Sequence, residues 1–131
     1  MDLIIRRAEL CEHVAGRDAP VDIAMEAGRI VAVEPNLTAK AAQEVDAAGS
    51  LVTPPFVDAH FHLDATLSYG LPRINASGTL LEGIALWGEL KPQLTQEALI
   101  ERALRYCDWA VARGLLVIRS HVDVCDPRLL A

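Results

Sequence analysis

A chain of 131 residues, 52% of them apolar, carries enough hydrophobic material for a packed core and is not a disordered polypeptide. Its net charge of −6 argues against nucleic acid as a partner, because a phosphate backbone calls for a basic surface. No apolar run approaches the roughly 20 residues of a membrane span, so no membrane partner is expected.

The opening Met1-Asp2-Leu3-Ile4-Ile5-Arg6-Arg7 places apolar residues before basic ones, the reverse of a secretory signal, and a cytoplasmic location is expected. Residues 2–12 read as a strand with Leu3, Ile4 and Ile5 at its heart, and His13 beside Glu12 reads as plain surface. Val21 to Met25 alternates apolar with small or polar residues, as a half-buried strand does. Glu26-Ala27-Gly28-Arg29 supplies a turn and Ile30 to Val33 a second strand, which makes a hairpin. A polar loop, a short strand near Glu44 to Asp46, a turn at Ala48-Gly49-Ser50 and the strand Leu51-Val52-Thr53 complete a small all-β unit over residues 1–53.

After Pro54-Pro55 the pattern changes. Phe56-Val57-Asp58-Ala59-His60-Phe61-His62-Leu63-Asp64 starts as a strand and ends in two histidines two residues apart. Alternate side chains on a strand share a face, so both imidazoles can aim at one point. A neutral imidazole is a common metal ligand, and His60 and His62 are candidate metal ligands. By itself His-x-His equally suits the polar face of a half-buried strand. The double proline before it and the long polar loop after it, Gly70 to Leu80, favour a site, because functional groups collect on loops at strand ends.

Thr79 to Leu90 has near-helical apolar spacing despite Gly83 and Gly88, and Trp87 and Trp109 read as core. Thr95 reads as the N-cap of a helix running to about Arg113. Its stripe is Leu99, Ala103, Tyr106, Cys107 and Ala110, with Glu101, Arg102, Arg105 and Asp108 mostly facing water, and Gly114 closes it. Leu115 to Ile118 is an uninterrupted apolar run, expected to be a parallel strand buried on both faces. It continues through Arg119 to Val124, with His121, Asp123 and Cys125 on one face, and Asp126-Pro127 reads as the start of another helix.

These are β/α units of a larger parallel sheet, so residues 54–131 are expected to be the first units of an incomplete barrel, at the N-terminal end of a longer protein. His121 has three readings: a third metal ligand, an outer hydrogen-bond partner, or a core histidine. Asp64 and Asp123 can each orient an imidazole, and Asp123 can equally pair with Arg119 or Arg73. The odd, scattered Cys11, Cys107 and Cys125 read as reduced thiols, with no structural zinc built on cysteine. Cys125, near the suspected site, reads as packed or reactive.

Set in this order, the residues resemble the start of a metal-dependent amidohydrolase, most of all the bacterial cytosine deaminase branch. The resemblance rests on Leu3-Ile4-Ile5-Arg6, Asp22-Ile23 with Gly28-Arg29-Ile30, Thr53 to Asp64, Asn75 with Ser77-Gly78-Thr79-Leu80-Leu81-Glu82-Gly83, and Arg119-Ser120-His121-Val122-Asp123-Val124. It implies an α/β protein, a (β/α)₈ TIM barrel with a small β-sandwich, of which only the N-terminal part is present. It implies one divalent ion, iron or zinc, with His60 and His62 as the strand-1 ligands and Leu80 touching the substrate through its backbone. Asp64, His121 and Asp123 would stand behind the ligands. The remaining ligands, the proton-shuttling glutamate and the base-reading glutamine would lie beyond residue 131.

The expected reaction is hydrolytic deamination of a small heterocyclic base, cytosine to uracil and ammonia, by a metal-activated water, in a protein that is a homo-oligomer at full length. Isoguanine, creatinine and N-substituted ammelides are alternative substrates. A truncated, non-catalytic product is the alternative outside enzymes. A binuclear site of the dihydroorotase or urease kind would need a carboxylated lysine, and neither Lys40 nor Lys91 lies at a strand end.

Overall fold

The computed structural model describes residues 1–11 and 19–130, in two units, Met1–Pro54 and Pro55–Ala131. Glu12 and His13 lie outside the described residues.

In the first unit, four strands form one sheet: β1 (Leu3–Ala8), β2 (Val21–Glu26), β3 (Arg29–Glu34) and β4 (Gln43–Asp46), in the order β3-β2-β1-β4. β2 runs antiparallel to both β1 and β3, and β4 lies parallel to β1. The two central strands carry the buried residues Ile4, Ala8, Val21, Ile23 and Ala24. Ala27 and Gly28 both take positive φ, +49° and +73°, the backbone a two-residue hairpin needs to match the twist of its strands. Asp22 is buried inside this sheet and is fully engaged. Its carboxylate accepts from the Arg7 amide (2.9 Å), Arg6 Nη1 (3.0 Å) and the Leu37 amide (3.0 Å), which ties the loop after β3 to the sheet. The expected strand at Leu51-Val52-Thr53 reduces to one bridge between Glu9 and Leu51. Ser50 and Val52 supply only the two hydrogen bonds that flank it.

The second unit is built on two parallel strands, β5 (Phe56–Phe61) and β6 (Leu115–Ser120). Between them come α1 (Leu80–Leu90), a 3₁₀ turn at Lys91–Gln93 and α2 (Gln96–Val111). Both helices start where a threonine is available: Thr79 accepts from the Glu82 amide and Thr95 from the Ala98 amide. Leu90, Leu94 and Leu99 form a small core with Trp87 and Leu130 against it. Tyr106 of α2 stacks on Phe61 of β5, ring centroids 4.2 Å apart. Gly114, at φ +79°, turns the chain into β6, and its carbonyl accepts the Phe56 amide at 2.8 Å.

β6 is not covered on both faces: Leu116 and Val117 are more than half exposed, because β5 is its only strand partner among the described residues. The strand also stops at Ser120 rather than Val124. The Asp123 side chain accepts the Cys125 amide at 2.8 Å, and a short polar side chain that bonds its own backbone competes with a ladder. Asp126 likewise accepts the Arg128 amide at 2.9 Å and forms a single turn, with no helix following among the described residues. Arg102 does not face water: its guanidinium holds the carbonyls of Thr66 (3.0 Å) and Asp64 (3.3 Å). Trp109 is not core either; it is half exposed, with the Arg105 guanidinium 5.5 Å from its ring centroid.

Candidate metal-binding site at the ends of the parallel strands

β5 places His60 near its end and His62 one residue past it, so the alternation of the strand sets both rings on the same side. Their centroids are 5.4 Å apart. β6 delivers the third ring. The His121 amide donates to the Phe61 carbonyl at 2.8 Å, which aligns the two strand ends and brings His121 within 4.2 Å of His60 and 5.9 Å of His62, centroid to centroid. All three imidazoles are exposed. Partial desolvation, together with the two neighbouring rings and Arg119, lowers the His121 pKa and favours its neutral form.

Beneath the rings the polar groups are ordered. Asp64 is buried, and its carboxylate accepts the Ala65 amide (2.9 Å) and the Asp123 amide (2.9 Å). Its Oδ1 stands 3.9 Å from His62 Nδ1, beyond hydrogen-bond reach but close for a charge and a ring. The Ser120 hydroxyl accepts the Leu63 amide at 3.2 Å, a further tie between the two strand ends.

The Asp123 carboxylate turns away from the imidazoles. It pairs with Lys91 and accepts from the Cys125 amide and Trp87 Nε1, contacts that hold it far below the usual carboxylate range. Neither Arg119 nor Arg73 is its partner; Arg73 binds Glu82 and Glu89 instead. Asp123 therefore reaches the site through its main-chain amide on Asp64. Trp87 and Lys91 were not legible as part of this arrangement, although their spacing of four residues places them on one helical face. Cys125 is exposed rather than packed.

Leu80 heads α1, largely exposed, after a loop knotted by its own polar groups. Asn75 Oδ1 accepts the Gly78 amide (2.8 Å), and Glu82 accepts from the amide and hydroxyl of Ser77 and from Arg73. The Ser77 contacts come first, with Arg73 behind them, in bringing the Glu82 pKa down to about 2.

Clustered imidazoles with a buried carboxylate beside one of them suit iron or zinc in donor chemistry. They are part of a site and no more. Among the described residues, no group of three His, Cys, Asp or Glu side chains is arranged to hold a metal ion, whereas catalytic zinc takes three protein ligands.

The model of the amidohydrolase family matches residues 43–131. The chain belongs to the amidohydrolase family. Among relatives of this amidohydrolase chain, N-isopropylammelide isopropyl amidohydrolase of Pseudomonas sp. (strain ADP) is 34% identical over 127 residues, 94% of this chain and 30% of the relative. The structure of 5-methylcytosine deaminase from Klebsiella pneumoniae liganded with phosphonocytosine superposes with a TM-score of 0.84 at 38% identity, covering 97% of this chain and 30% of that one. That of N-isopropylammelide isopropylaminohydrolase from Burkholderia multivorans ATCC 17616 gives 0.70 at 28% identity, over 95% and 30%. The chain thus spans about 30% of the length of these relatives. Among the described residues, no helix is long and apolar enough to cross a membrane.

Proposed function

We propose that this chain forms the opening of a (β/α)₈ amidohydrolase that deaminates cytosine or a close relative of it hydrolytically, with the β-sheet unit as part of a β-sandwich. The observation that carries the reading is the gathering of His60, His62 and His121 at the C-terminal ends of two adjacent parallel strands, the end at which a (β/α)₈ barrel would build its active site. The 38% identity to 5-methylcytosine deaminase supports the substrate class.

In this reading His60 and His62 would hold one iron or zinc ion, which supplies a water acidified toward neutral pH. The chain's own residues do the rest of what lies within it. His121, in its neutral form, keeps positive charge away from the ligand pair. Asp64 stands as a fixed negative charge beside His62. The loop from Asn75 to Glu82 is tied by its own hydrogen bonds, and in this reading the Leu80 backbone would meet the planar base. In the net reaction water adds at the amino-bearing ring carbon, ammonia departs and a carbonyl remains. The acid/base group is expected outside this chain. Homo-oligomeric assembly and a cytoplasmic location belong to the same proposal.

The likeness to the ammelide hydrolases, 34% over almost the whole chain, supports a second reading in which an N-substituted ammelide loses its amine. Isoguanine and creatinine complete the panel. Incubating the full-length protein, loaded with iron or with zinc, with cytosine, 5-methylcytosine, isoguanine, creatinine and N-isopropylammelide separates them. Ammonia from the cytosines is the expected outcome; isopropylamine release would favour the second reading. Inertness toward all five with metal bound would refute both and favour a non-catalytic product.

A further inference from the structure

The Asp123 carboxylate is held by groups of the α1 region. Trp87 Nε1 donates to Oδ2 at 2.7 Å, the Lys91 ammonium pairs with the same oxygen, and the Cys125 amide donates to Oδ1 at 2.8 Å. The restraint passes on through the main chain, because the Asp123 amide donates to Asp64 Oδ2 at 2.9 Å. The Asp64 side chain is only 2% exposed. Its backbone carbonyl is held in turn by Arg102. Asp64, Trp87, Lys91 and Asp123 all line one small cavity of about 10 Å³, room for a single water at most, so the four residues are closely packed.

The other oxygen of this carboxylate, Oδ1, accepts the Ala65 amide at 2.9 Å and also faces His62. At 3.9 Å, Oδ1 acts on Nδ1 as a charge and not as a hydrogen-bond acceptor. Burial makes that charge count for more than it would in water. A negative charge beside Nδ1 favours the tautomer with its proton there, which leaves the Nε2 lone pair free. Among the described residues, neither the His60 ring nor the His121 ring forms an ion pair with a carboxylate as His62 does; Asp58 accepts only the His60 backbone amide, at 3.1 Å.

We propose that Lys91 and Trp87 are positioning residues for His62: by pinning Asp123 they fix its amide on Asp64, and Asp64 then selects the Nδ1-protonated tautomer of the His62 ring. The proposal rests on the reading of His62 as a metal ligand, and deepens it, since a ring presented in one tautomer is ready to bind. It concerns the ring before any ion arrives.

Solid-state ¹⁵N spectra of histidine-labelled chain, taken where the imidazoles are neutral, report the tautomer of each ring and tolerate self-association. The His62 and His60 signals among the four histidines are identified by difference with His62→Gln and His60→Gln. His62 is expected in the Nδ1–H form. In Lys91→Met and in Trp87→Phe it should shift toward the mixture of free histidine, with His60 unchanged, and Lys91→Arg should restore the native signal. A native His62 without the Nδ1–H preference, an unaltered His62 in Trp87→Phe, or failure of Lys91→Arg to restore the signal would overturn the proposal. Should Lys91→Met not fold, Trp87→Phe, which removes only an N–H donor and part of the ring, decides the question. A failure of the deaminase reading would show in ammonia release and leave these spectra as expected.

Discussion

Trp87 Nε1 and Asp123 Oδ2 are hydrogen-bonded at 2.7 Å across 36 residues of sequence, joining the helix after β5 to the segment after β6. An indole N–H given to an ionised carboxylate is stronger than a neutral pair. Trp87→Phe keeps most of the apolar contact with Leu90, Leu94 and Leu99 but deletes the donor. It should cost about 1–2 kcal/mol in urea unfolding, and a change within error would remove this contact from what holds the second unit together.

Asp22 gives the matching case in the first unit. Burial pushes its carboxyl up, but the Arg7 amide, the Arg6 guanidinium and the Leu37 amide outweigh burial and hold it below the ordinary carboxylate range. Asp22→Ala leaves three donors without their acceptor and should cost about 2–4 kcal/mol. Hydrogen exchange at the Arg7 and Leu37 amides should speed up with it. Protection that persists at both positions would contradict the arrangement.

The acid limb of stability follows from the same sign at several sites. Asp22, Glu44, Asp46, Glu82, Asp123 and Asp126 all have folded-state pKa values below their ordinary 3.8 or 4.5. A depressed carboxylate stabilises the fold fully above its unfolded pKa and loses that contribution as the pH falls through the folded value. Through these carboxylates stability should fall between about pH 4.5 and 2, after a smaller decline below about pH 6.5 as unfolded His121 takes up its proton more readily than the folded ring, followed by circular dichroism against pH. A chain that gains stability over that interval would contradict the assignment.

For the full-length protein, His60→Ala and His62→Ala should each lower bound iron or zinc to below stoichiometric and cut turnover by more than 100-fold, beyond what loss of an outer partner does. Metal analysis after gel filtration and initial rates check both. Asp64→Asn should fall between these variants and the native protein, weakening metal binding about 10-fold. Equal metal content in all four proteins would take the histidine pair out of the site.

The parallel pair presents bare apolar surface: Phe56, Val57, Leu116 and Val117 are each more than half exposed. Contiguous surface of this kind drives association. The 131-residue chain by itself should self-associate with rising concentration in light scattering and bind a hydrophobic dye. A monomer with a single sharp thermal transition would show that these strands are covered in another way.

Local chemistry made much of this legible in the residues alone. Alternation marked β2, Gly28 in the turn from Glu26 to Arg29 marked the hairpin, Thr95 marked the start of α2, near-helical spacing from Thr79 marked α1, and the two-residue spacing of His60 and His62 put their rings together. Period and capping act over a few residues, so a sequence displays them directly. What only the tertiary structure decided lies across long separations. It set His121 against His60, sent the Asp123 carboxylate to Lys91 and Trp87 rather than to Arg119 or Arg73, and turned Arg102 inward onto the loop after β5. Charged side chains reach whichever partner the packed backbone brings near. Spacing along the chain does not encode that choice, and the parallel register of β5 and β6 does.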